Sequence, residues 1–68
     1  MSNQNLKFIA EQLNNLSCKE CTKGWLKKHN RLTDPIDDIQ NCFNSNLISL
    51  NLKDRLIREV KELVENSN

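Results

Sequence analysis

Cys18, Cys21, His29 and Cys42 are the residues of this chain whose types and spacing suit metal or thiol chemistry. They stand in the pattern C-x2-C-x7-H-x12-C, and they include all three cysteines and the one histidine. Zinc prefers four soft or borderline ligands in a tetrahedron, and a C-x2-C turn places two thiolates on one side of the ion. His29 and Cys42 would complete the shell and tie the middle of the chain together. Structural zinc contributes about 10–16 kcal/mol of apparent binding energy in small peptides, more than a short chain draws from its own core.

Two other readings of the same residues stand beside zinc. Cysteine is among the most buried residue types and packs as a small apolar side chain. On a continuous helix Cys21 would fall on the Trp25 stripe, with Cys42 beside Phe43. A redox C-x-x-C is the third reading, and no βαβ pattern surrounds the motif to favour it. A cysteine nucleophile with His29 as base lacks an orienting third group and an oxyanion loop. One glycine in the chain also rules out a glycine-rich phosphate loop. No catalytic set is legible, and the chain reads as a non-enzyme.

The elements that must hold these residues are short. Sixty-eight residues are expected to form a single small helical domain, 1–68, burying about 60% of the unfolded chain's surface. One proline and one glycine are too few for a turn-rich β fold. The fold expected is all-α: a compact bundle of three to four short helices, zinc-stapled if the four ligands converge.

Leu6, Ile9, Ala10, Leu13 and Leu16 mark one face of a helix over about 4–16. Asn3 or Asn5 is available to cap it. Cys21, Trp25, His29 and Leu32 share a face of a second helix, about 22–31, in which Gly24 costs about 1 kcal/mol against alanine or instead marks a turn. Asp34 as N-cap and Pro35 at the first helical position open a third helix, 35–44, with Asp37 and Asp38 in its first turn. Asn44-Ser45-Asn46 is a turn cluster. A fourth helix, about 51–66, starts with an Asn51–Asp54 pair that resembles a capping box. It carries a broad stripe of Leu52, Leu56, Ile57, Val60, Leu63 and Val64.

The net charge is +1, but it is unevenly spread. Lys19, Lys23, Lys27, Lys28 and Arg31 face only Glu20, and the next segment holds only Asp34, Asp37 and Asp38. The basic run with Trp25 suits phosphate contact and base stacking, and a small nucleic-acid-binding regulator is the alternative function. Its bland counterpart is a solvated helix face around a core tryptophan. Carboxylates in the first turn of the third helix argue against a helix-turn-helix reader, because they repel phosphates.

No basic leader with an apolar run opens the sequence, and no apolar stretch approaches the roughly 20 residues of a membrane span. A soluble cytoplasmic protein is expected, with thiols free or metal-bound in a reducing compartment. The preferred function is a protein-binding module (a regulator, adaptor or inhibitor) that works without catalysis. Ile57 and Val64, toward one edge of the fourth helix's stripe, and Asp37 and Asp38 are the candidate partner contacts. A symmetric homodimer or a stable complex with another protein is the expected assembly.

Overall fold

The structure is a computed structural model and describes residues 3–29 and 33–66, with side chains from Leu6 onward. Four helices and no strand are present among these residues: α1 (Asn3–Asn14), α2 (Lys19–Lys28), α3 (Pro35–Asn44) and α4 (Leu50–Asn66). The all-α bundle expected from the sequence is the fold observed. Its Cα radius of gyration is 11.2 Å, against about 11 Å for a compact chain of this length. Helix α1 packs on α3, α3 on α4, and α4 on α2.

The core is built from one stripe per helix. Ala10 and Leu13 of α1 meet Ile39 and Cys42 of α3 and Leu56 and Val60 of α4, with Leu16 and Ile48 supplied by the connections. Leu13, Ile39, Cys42, Leu56 and Val60 are fully buried. Replacing any of the larger ones by alanine costs about 2–5 kcal/mol, a large share of a small domain's stability.

The helix ends show which local rules won. Helix α1 stops at Asn14, two residues short of the expected end. Asn15 and Leu16 turn out of it on i to i−3 bonds to Gln12 and Leu13, each 3.1 Å. Leu16 is therefore a core residue of the connection, not of the helix. Helix α3 begins as its signals dictate, with Asp34 accepting the Ile36 N–H at 2.9 Å. It ends in a Schellman motif: Leu47 N–H donates to Cys42 O and Asn46 N–H to Phe43 O, both at 2.9 Å. Asn46 takes the left-handed conformation this requires, φ 63°, which asparagine tolerates better than most residues. Helix α4 is capped by Ser49, whose Oγ accepts from Leu52 N–H at 3.1 Å. The Asn51–Asp54 pair expected to cap it lies inside the helix instead, since Ser49 takes the cap position.

Helix α2 departs most from its reading. It begins at Lys19, not 22, and runs unbroken through Gly24 to Lys28. Its inward face is Thr22, Trp25, Leu26 and His29, with Thr22 fully buried and Cys21 exposed. That is the i, i+3, i+4, i+7 pattern, turned by one residue from the stripe drawn through Cys21. Burying Leu26 as well as Trp25 forces the rotation. Leu32 of the expected stripe lies outside the described residues.

Candidate functional site: the Cys18–Cys21 pair and the outer edge of α4

Cys18 is the N-cap of α2. Its backbone is extended (φ −152°, ψ 168°) and its Sγ accepts the N–H of Cys21 at 3.4 Å. The C-x2-C spacing therefore spans a helix start: Cys18 at the cap and Cys21 at the third helical position. The two Sγ atoms lie 3.0 Å apart, and both residues are exposed. The neighbouring Cys18 thiol holds the Cys21 thiol below the ordinary cysteine range. Burial opposes this as the second-largest effect, and weaker hydrogen bonds from Ser17 and from the Cys18 backbone add to the lowering.

This helix start is fastened to α4 by a chain of polar contacts. Arg55 of α4 donates to the carbonyl of Leu16. Its guanidinium lies 3.9 Å from the Glu59 carboxylate. The Thr22 hydroxyl sits 2.7 Å from Glu59 Oε1 and 3.2 Å from the Cys18 carbonyl oxygen. With one proton to give, it donates chiefly to the carboxylate, the shorter and charge-assisted bond. On the rim Lys19 Nζ meets Glu62 Oε1 at 2.9 Å, and the ammonium pulls the Glu62 carboxyl below its ordinary value.

The other two residues of the C-x2-C-x7-H-x12-C pattern are placed elsewhere. Cys42 is fully buried in the core, its Sγ directed at the carbonyl of Leu6, 3.6 Å away. Burial raises its pKa, and the nearby Asp38 charge raises it further. His29 Nε2 lies 2.6 Å from Asp38 Oδ2, with both side chains nearly buried, and its ring makes an edge contact with Trp25 at 5.0 Å between centroids. Among the described residues no three His, Cys, Asp or Glu side chains converge as a metal site would need. The four sequence-assigned zinc ligands are thus split into a surface pair, a core thiol and a histidine–aspartate link between α2 and α3. The split follows from the rotation of α2, which turns Cys21 outward while α3 keeps Cys42 inward.

Of the acidic pair, Asp37 is exposed. Asp38 is occupied within the chain, accepting from Thr33 Oγ1 at 3.0 Å as well as facing His29. Lys23, Lys27 and Lys28 are exposed on α2, Lys19 is paired with Glu62, and Arg31 lies outside the described residues. Trp25 packs against the core and is not offered as a stacking platform beside those lysines.

The remaining candidate surface is the outer edge of α4. Leu50 and Val64 are 54% and 51% exposed, and Ile57 is half-buried between them. The three stand seven residues apart, so on a helix they fall within a narrow strip about 21 Å long. A shallow groove beside it is lined by Lys53, Asp54, Ile57, Arg58, Lys61 and Glu62. Leu50 joins this strip because α4 starts at Leu50, one residue before the expected 51. No helix among the described residues is long and apolar enough to cross a membrane.

No protein-family profile, curated protein or solved structure matches this chain.

Proposed function

We propose that the chain is a small protein-binding module that docks through the outer edge of α4. The observation that supports this is the strip Leu50–Ile57–Val64. Two of the three large apolar side chains most exposed among the described residues lie on one edge of one helix, at heptad spacing around Ile57. Phe8, the third, is 61% exposed on the far side of α1 from its core stripe. Heptad spacing is what an amphipathic partner helix meets when it lies alongside.

The magnitudes set the kind of complex. Burying the exposed part of each strip residue contributes up to roughly 1 kcal/mol apiece. Two-fold pairing of α4 edges counts each residue twice. That sum, at most about 6 kcal/mol, falls in the lower part of the estimated association cost, about 4–15 kcal/mol, and leaves little surplus. The strip therefore supports reversible docking and not an obligate assembly.

The test is the concentration dependence of mass by light scattering, for the native chain and for Ile57→Glu. The native chain is expected to associate reversibly at high concentration, and the variant to stay monomeric with unchanged helix content. A native chain that is monomeric throughout removes the homodimer. A native chain that instead binds DNA or RNA with a steep salt dependence, lost on replacing Lys23, Lys27 and Lys28, replaces this function with nucleic-acid binding.

A further inference from the structure

We propose that Cys18 and Cys21 form a reversible dithiol–disulfide site, closed by small-molecule disulfides and reopened by thiols, independently of the docking edge. Two thiols 3.0 Å apart need to approach by only about 1 Å to reach bonding distance. Both are exposed, so a co-reactant reaches either sulfur. The backbone that carries them is held in place: the Cys18 carbonyl accepts from Thr22 N–H at 3.1 Å and lies within reach of the Thr22 hydroxyl, and α4 grips that hydroxyl through Glu59. Neither sulfur has to search for the other, which raises the effective concentration of the closing step.

The placement also suits thiolate chemistry. A helix start offers N–H groups without helical acceptors and the positive end of the helix dipole, the setting in which C-x-x-C thiols react. The third thiol does not compete. Cys42 is fully buried in the core among Leu13, Ile39 and Leu56.

The exchange balances with a disulfide R–S–S–R as oxidant. One thiol of the pair, as thiolate, attacks a sulfur of R–S–S–R. A mixed protein–S–S–R disulfide forms and the first RS⁻ leaves, taking up the proton the attacking thiol gave up. The second cysteine, deprotonated in turn, attacks the protein sulfur of that mixed disulfide. The Cys18–Cys21 bond forms and the second RSH departs. The protein loses two protons and two electrons, and one disulfide becomes two thiols.

The experiment incubates the full chain with oxidised glutathione in the presence of a chelator. Thiols are then counted by maleimide labelling in denaturant, with intact mass as the second readout. The expected count falls from three to one with the loss of two hydrogens, a peptide map places the bond between residues 18 and 21, and dithiothreitol restores all three. Cys18→Ser is expected to halt at a mixed glutathione disulfide on Cys21, and Cys42→Ala to close as the native chain does. Three labelled thiols after oxidation would overturn the proposal. So would disulfides formed only between chains, or a bond that includes Cys42.

Discussion

The Thr22 hydroxyl donates to the Glu59 carboxylate at 2.7 Å, joining α2 to α4 across 37 residues of sequence. Thr22 is fully buried and Glu59 is largely covered, so this short bond satisfies polar groups that water reaches poorly, beside the longer contacts to the Cys18 carbonyl and the Arg55 guanidinium. Thr22→Val keeps the volume and removes the donor. It is expected to cost about 1–3 kcal/mol, read as a lower urea midpoint with an unchanged slope. A double-mutant cycle with Glu59→Gln is expected to show coupling between the two sites. Strict additivity of the two changes would mean that the contact contributes nothing.

Gly24 sits in the interior of α2, and a Cβ built there meets nothing within 4 Å. Its backbone is helical, so alanine needs no rearrangement. Gly24→Ala is expected to stabilise the chain by about 0.5–1 kcal/mol, measured as a rise in the thermal midpoint. A loss of stability would show that glycine at this position serves something other than the helix.

Cys42 gives the fold a sensitivity to alkaline pH. Burial and the Asp38 charge raise its pKa, so the folded state holds the proton to higher pH than the unfolded chain does. That contribution is complete below the ordinary thiol pKa, about 8.5. It is lost as pH rises through the folded value, because the unfolded thiol ionises first. Unfolding midpoints of the native chain are expected to fall above about pH 9, and more steeply than those of Cys42→Ala. Parallel curves would place the alkaline loss elsewhere.

Leu56 and Ile57 are neighbours in sequence with different duties. Leu56 is fully buried, whereas Ile57 is half-buried at the edge of α4. Leu56→Glu is expected to unfold the chain, because it buries a charge with no partner. Ile57→Glu is expected to leave the circular dichroism spectrum helical while association is lost. If both unfold the chain equally, the edge belongs to the core and the docking surface is not there.

The sequence by itself determined the helices and most of their ends. Periodicity placed the stripes of α1 and α4. Asp34-Pro35 marked the start of α3, and Asn44-Ser45-Asn46 announced its turn, since these signals act through hydrogen bonds a few residues long. Ser17 and Glu20 stand at capping-box spacing, one residue ahead of the observed start of α2, and were the available hint that this helix begins before residue 22. Local rules could not decide which way α2 faces. Cys21 and Thr22 are both compatible with a helical stripe through Trp25. The choice fell to Leu26, which packs partly buried against the core, and to Glu59, which lies 37 residues from Thr22. That single rotation carried Cys21 to the surface beside Cys18, left Cys42 in the core, and brought His29 to Asp38. Tertiary packing thus decided which thiols lie at the surface and which in the core, because burial against the other helices is a property of the assembled fold and not of any one segment.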